Sequence, residues 1–280
     1  MPIYRLTLEY EGTRYHGWQE QQNARSVAGE LRRAVEEALP AGNALQELGG
    51  SGRTDAGVHA LAQTAHLRLA RPLDSAALAA MRRAVNDRLP ADIHVLGLAA
   101  APAGFHSRHS AVARSYLYQI SRRRTALAKR YVWWVKRPLD LPRIAAAAAR
   151  LPGRHDYRLF CERPAEQPST VVVVDRAEVA EAGGLILVRL VASHFLWKMV
   201  RRVVGTLVQV GAGDLDPAAL GAFLAAPTQG VQGPQGSPAA WTAPPSGLFL
   251  ERVLYAGDPP LPPLADTGPA VQVTAPSPAA

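Results

Sequence analysis

The chain has a single cysteine among its 280 residues, so no internal disulfide can form. Cys161 stands at no metal-ligand spacing and reads as a reduced thiol in or near a core. His59, His66, His94, His106, His109, His155 and His194 are scattered without an H-E-x-x-H or C-x-x-C partner, so no metal is expected. The Gly-Lys-Ser/Thr phosphate loop is missing, and so is a third glycine opening a helix, which sets aside the common nucleotide-binding signatures. The opening MPIYRLTLEY is charged and alternating where a signal peptide would be apolar, and no run approaches a bilayer span. These absences predict a cytoplasmic protein with no membrane partner. A chain of this size buries about three-quarters of its surface, enough for two modest domains.

Acid is missing locally as well. From Ala100 to Arg137 there are nine Lys/Arg and no Asp or Glu. The formal charge of +8 and the pI near 10.0 say less, because arginine outnumbers lysine 28 to 3 in an Ala/Pro-rich chain, a bias that can be genomic. A solvated face normally mixes both signs, so a one-signed stretch centred on Arg122, Arg123 and Arg124 reads as a nucleic-acid footprint. Tyr116, Tyr118, Tyr131, Trp133 and Trp134 interleave with its cations. At strand spacing some of these rings must be core, and the others are free to stack on bases.

What is present is concentrated in Gly49–Ala60, GGSGRTDAGVHA. Its glycines allow positive φ or close backbone approach, and Arg53 and Asp55 share a face if the segment between them is extended. A glycine-rich turn with a surface ion pair would leave the same trace. Only one carboxylate is available, so the paired acids of a conventional glycosidase are missing.

The periodicity predicts a strand over Ile3–Glu9, a helix capped by Ser26 with Val27, Leu31, Val35 and Leu39 on one side, and a strand over Gln63–Leu69. A helix capped by Asp74 or Ser75 and a strand over Asp92–Leu98 follow. The order β-α-β-β-α-β is that of the ferredoxin-like fold. The second half repeats the theme with a strand at Arg114–Ser121, a helix after Asp140, a hairpin of Val171–Val179 and Leu185–Ala192, and a long helix over Phe195–Val210. On that helix Lys198, Arg201 and Arg202 fall at i, i+3 and i+4 and form a cationic ridge. The expected class is α/β (α+β): two ferredoxin-like-derived lobes with mainly antiparallel sheets and an active-site cleft between them. Residues 1–104 form the first lobe, 105–257 the second, and 258–280 a disordered Pro/Ala-rich tail. Residues 226–246 form a low-complexity loop.

GRTDAGVHA resembles the signature of the bacterial tRNA pseudouridine synthase A (TruA) family. YEGTRYHGWQ (10–19), FHSRHSAVARSYLY (105–118), FLWKMVRRVVG (195–205) and SGLFL (246–250) fit it in the same order. The resemblance implies that Asp55 is the catalytic residue, that Tyr116 is the active-site tyrosine on the target base, and that Arg53 and Arg201 lie at the substrate. A cation from Arg53 or from the Lys198–Arg201–Arg202 ridge would favour the charged aspartate. Arg122, Arg123, Arg124, Lys198 and Arg202 are left as RNA contacts. The resemblance further implies an isomerase acting on uridines 38, 39 and 40 of the tRNA anticodon arm, without a cofactor, as a homodimer. Two other readings are a non-catalytic RNA-binding module, though the RRM pattern is missing, and a nucleosidase or glycosidase, for which the basic stretch would be superfluous.

Overall fold

In the computed structural model the described residues are 1–166, 168–225 and 236–271. Residues 226–235 of the low-complexity loop and 272–280 of the expected tail lie outside them. The chain divides into two units: Met1–Val112 with Phe249–Asp258, and Ala113–Leu248 with the chain from Pro259 on.

In the first unit β1 (Ile3–Tyr10), α1 (Val27–Ala38), β2 (Leu45–Gly50), β3 (His59–Leu69), α2 (Ser75–Asn86) and β4 (Ile93–Ala100) follow one another. β1 alternates as its sequence predicts, with Tyr4, Leu6, Leu8 and Tyr10 all buried. It pairs antiparallel with β4 on one side and β3 on the other, and β3 pairs antiparallel with β2. The spatial order β4-β1-β3-β2 is the ferredoxin-like one. The Ser26 hydroxyl accepts the Gly29 N–H at 3.2 Å and starts α1, a cap worth about 1 kcal/mol. Val27, Leu31 and Val35 are buried, while Leu39 leaves the helix with extended backbone. Asp74, and not Ser75, caps α2, accepting the Ala77 N–H at 2.8 Å.

The second unit runs β5 (Ala111–Ser121), β6 (Trp133–Trp134), α3 (Leu141–Ala148), β7 (Gly153–Asp156), β8 (Val171–Ala182), β9 (Leu185–Ala192), α4 (Met199–Gly211) and α5 (Pro217–Ala225). β9 lies antiparallel between β5 and β8, and β7 extends the sheet beyond β8. The order β5-β9-β8 repeats β1-β3-β2. α3 and α4 take the chain positions of α1 and α2, so the repeat that the residues hide is visible in the backbone. The last strand, β10 (Leu248–Tyr255), begins at the boundary between the units. It runs parallel to the start of β3, Phe249 opposite His59. The opposite edge of β3 is occupied by β1, so β10 shares with β2 the edge that β2 covers only from Ala65 onward.

Two expectations change. α4 begins at Met199, because Lys198 takes a left-handed conformation (φ 61°) that no helix interior accepts. Residues 258–271 are also not a featureless tail. Leu261 and Leu264 are buried, and Leu264–Thr267 forms a short helix, α6. The fully buried Arg189 guanidinium donates to the Pro262 carbonyl and to the Thr267 hydroxyl, both at 2.8 Å, with Glu178 at 3.3 Å. Gln119, buried on β5, accepts the Ala270 N–H at 2.6 Å. Composition missed this because two leucines and a few backbone carbonyls suffice to dock a segment onto buried polar side chains.

Deleting 259–280 removes Leu261 and Leu264, whose burial is worth about 1.5–3 kcal/mol each, and strips partners from a buried cation. We expect the melting temperature to fall by roughly 10 °C. Deleting only 272–280 leaves all of these contacts in place and is expected to change it by less than about 1 °C. Paired thermal melts of the two truncations check this.

Candidate active site

The turn at Asp55 is built first from what flanks it. At the end of β2, a Cβ on Gly49 would lie 2.4 Å from the His66 ring, and one on Gly50 2.4 Å from the Trp18 indole nitrogen. Both glycines therefore serve close approach. Past them the Ser51 N–H donates to the Thr64 carbonyl at 2.8 Å, and the Gln63 amide donates to the Gly52 carbonyl at 3.2 Å. These bonds carry the chain away from β3 without leaving its polar groups unpaired. The next three residues alternate as an extended segment should: Arg53 is exposed, Thr54 buried, Asp55 half-buried. Thr54 points inward, its hydroxyl 2.8 Å from the Tyr10 hydroxyl. That alternation fits an extended segment, in which Arg53 and Asp55 share a face. The Val58 N–H closes a turn onto the Asp55 carbonyl at 3.2 Å, with Gly57 at φ 78°, a conformation that favours glycine.

A second segment, residues 10–18, grips this turn from outside. The Gly57 N–H donates to the Tyr15 carbonyl at 3.3 Å, and the Trp18 N–H to the Thr54 carbonyl at 3.2 Å. The Gly12 N–H donates to His59 Nδ1 at 3.0 Å, which leaves the proton of a neutral His59 ring on Nε2. His59 stacks on Phe249 at 4.9 Å. The approach is so close that a Cβ on Gly12 would stand 1.9 Å from the Val58 carbonyl oxygen, and one on Gly17, itself at φ 89°, 2.3 Å from that of Thr54. Tyr15 and Trp18 look exposed from their loop context, yet they are 2% and 4% exposed. His16, between them in the chain, is exposed. Burial pushes the Tyr10 phenol far above its ordinary range, against the Thr54 and Gln63 hydrogen bonds, so it serves as a neutral strut.

Tyr116 and Arg201 belong to the second unit. Tyr116 lies half-buried on β5 with its ring edge-on to Phe195, 5.0 Å between centroids. Arg201 Nε donates to the Ala243 carbonyl at 2.7 Å while the Ala243 N–H returns to the Arg201 carbonyl at 3.1 Å. This pair of hydrogen bonds clasps the chain before β10 to α4. The clasp explains Gly205, where a Cβ would lie 1.6 Å from the Trp241 carbonyl oxygen. Next to it, Tyr118 is wholly buried and donates to the Pro244 carbonyl at 2.8 Å.

The cationic ridge does not survive as a surface feature. Arg202 is 8% exposed, donates to the Cys161 carbonyl and pairs with Glu162. Lys198, outside the helix, reaches the same carboxylate at 3.4 Å. Burial pushes the Arg202 guanidinium below its ordinary range, and Glu162 opposes this. The neutralising acid lies 40 residues away, where helix periodicity cannot reveal it. The basic stretch keeps its exposure at Arg122, Arg123, Arg124, Lys129 and Arg130. Arg122 is 3.1 Å from Glu181, and Arg124 lies 5.7 Å over Trp134, which is 39% exposed.

Sequence spacing also missed one cluster. Glu47, His66 and His106 bring three ligand-type atoms within 4.8 Å of one another. Ser107 engages His66 Nδ1 at 2.9 Å and Glu47 meets Nε2 at 3.2 Å. His106 Nδ1 accepts the Arg108 N–H at 3.1 Å. Arg68 Nε stands 2.7 Å from the other Glu47 oxygen, though without the alignment of a hydrogen bond. Both ring nitrogens of His66 are engaged, so a cation would have to displace one of these hydrogen bonds, beside a guanidinium already in place. The cluster is better described as a polar latch tying β2 and β3 to residues 106–110.

A family model described as tRNA pseudouridine synthase matches residues 7–110 and 147–256. A tRNA pseudouridine synthase A of Rhizobium meliloti is 41% identical over 260 residues, covering 91% of this chain and 100% of its own length. Those of Sinorhizobium fredii and Syntrophotalea carbinolica are 39% and 42% identical, each over 91% of this chain and 100% and 97% of their own.

The grip on the turn predicts an asymmetry between glycines. Gly12→Ala forces a methyl into the Val58 carbonyl and should cost about 3 kcal/mol. Gly52→Ala, with nothing within 4 Å of its Cβ, should cost less than about 1 kcal/mol. Urea unfolding of the two variants measures the difference.

Proposed function

The chain belongs to the tRNA pseudouridine synthase family, and from that premise we propose that it isomerises uridine to pseudouridine in tRNA, at positions 38, 39 and 40 of the anticodon arm. The observation that carries the reading is the GRTDAGVHA turn, held from both sides so that Asp55 is presented half-buried while Thr54 anchors inward. The reaction breaks the N1–C1′ bond, turns the uracil over, joins C5 to C1′ and releases the C5 proton. It needs neither redox chemistry nor an external group. Breaking the bond leaves an electron-poor sugar, toward which an ionised carboxylate acts as nucleophile, stabilising charge or base for the C2′ proton. Asp55 takes that role, with Arg53, Arg201 and Tyr116 at the substrate. A half-buried tyrosine ring suits stacking on a base drawn out of its helix, whose unstacking costs a few kcal/mol.

Arg122, Arg123, Arg124 and Lys198 are proposed as phosphate contacts. Arg202, buried against Glu162, is withdrawn from that set, and Lys198 shares the same carboxylate. Homodimer formation and a cytoplasmic location complete the reading. Among the described residues no helix is long and apolar enough to cross a membrane.

Asp55→Asn keeps the shape and hydrogen-bonding reach of the side chain and removes its charge and basicity. Pseudouridine formation, mapped by chemical adduct sequencing of treated tRNA, should be lost while tRNA binding persists. Turnover near the unsubstituted rate would end the catalytic assignment. Free uracil among the products would mean hydrolysis. Tyr116→Phe keeps the ring and should retain binding, with turnover slowed only if the hydroxyl handles a proton.

Binding supplies a separate check. Affinity for tRNA should fall with salt with a slope of roughly 0.7–0.9 per phosphate neutralised. Charge reversal at Arg123 and Arg124 should weaken all tRNAs alike, since phosphate contacts carry no sequence information.

A further inference from the structure

Asp92 lies immediately before β4, far along the chain from the Asp55 turn and in no motif of the sequence. Its backbone and side chain nonetheless converge on the segment that grips that turn. The Asp92 carbonyl accepts the Glu11 N–H at 2.9 Å. One carboxylate oxygen takes the Tyr15 hydroxyl, and the other takes Arg14 Nε at 2.9 Å and an Arg14 terminal nitrogen at 2.6 Å. The Asp92 side chain is 10% exposed and that of Arg14 60%. Asp92 therefore sits at the inner end of the network. The Tyr15 ring is itself enclosed, with the Arg25 guanidinium 4.9 Å over it.

Tyr15 is where this network meets the site. Its carbonyl accepts the Gly57 N–H, and three residues on, the Trp18 N–H donates to the Thr54 carbonyl. Those two bonds fall on either side of Asp55 and Ala56. The backbone of residues 15–18 is thus a template for the turn, and the phenol-to-carboxylate bond fixes one end of the template. Without the Asp92 carboxylate, the buried Tyr15 hydroxyl has lost its acceptor and the 11–18 loop its anchor. A displacement of about 1 Å at a reacting group is enough to cost on the order of 100-fold in rate.

We propose that Asp92 is a positioning residue for Asp55, acting through Tyr15 by holding the 15–18 backbone against the Thr54–Gly57 turn. The inference rests on Asp55 being the reacting carboxylate.

The test measures kcat and KM for tRNA at a temperature well below each variant's melting point, corrected for the folded fraction read by circular dichroism. Asp92→Ala and Tyr15→Phe should each lower kcat by about 10- to 100-fold, with KM within about twofold. The double variant should fall no further than the worse single one, because both remove the same bond. Asp92→Asn keeps an acceptor for the phenol and loses only the solvent-facing pair with Arg14. It should recover most of the rate. If Asp92→Ala does not fold, Tyr15→Phe and Asp92→Asn decide the matter alone. A corrected kcat equal to the unsubstituted enzyme's in Tyr15→Phe, or an Asp92→Asn variant as slow as Asp92→Ala, overturns the proposal. Asp55→Asn is run alongside. If it stays active, the assignment of the reacting carboxylate has failed; if it is dead while Tyr15→Phe is normal, only the positioning role has failed.

Discussion

Two carbonyl oxygens, those of Thr54 and Val58, stand where the side chains of Gly17 and Gly12 would have to be. The first unit depends on that exclusion. Backbone can reach backbone there only because both positions lack a Cβ, and the resulting bonds need no side-chain ordering entropy. The Asp55 turn is therefore held by main chain on both flanks, by an inward threonine, and by a histidine whose proton placement is fixed from Gly12. A carboxylate set on such a frame loses little geometry to thermal motion.

Much of this was legible in the residues. The alternation of β1, the Ser26 and Asp74 caps and the hairpin of β8 and β9 all follow from local rules, and the structure contains them. Other features depend on partners far along the chain. β2 has no alternating pattern because Gly49 and Gly50 are chosen for their neighbours, His66 and Trp18. Tyr15 and Trp18 sit in a loop and are core. Lys198 and Arg202 sit in a motif and find their counter-ion in Glu162. Asp92 carries no local signal. Periodicity reports which face of an element is buried, and it says nothing about which distant side chain meets it there.

The two units use one arrangement for different ends. β3 and β9 occupy the same place in their sheets, but β9 is buried along its whole length and carries a guanidinium at its middle, while β3 holds the polar latch of His66. A cation at the centre of an apolar strand is tolerable only with its hydrogen bonds complete. In β9 a carbonyl and a hydroxyl from residues past β10, those of Pro262 and Thr267, help complete them.

That arrangement has a consequence for synthesis on the ribosome. The first unit needs Phe249–Asp258 beside His59, and Arg189 needs Pro262 and Thr267. At about 5–20 residues per second, the chain between Val112 and Phe249 takes on the order of ten seconds to emerge. During that interval the start of β3 has one bare edge, and a nascent Arg189 must stay hydrated. Neither unit has all of its contacts until those residues emerge. The contacts of both units are thereby completed late, which leaves a translation product truncated before β10 with an unpaired strand edge and a buried-site cation without its Pro262 and Thr267 partners.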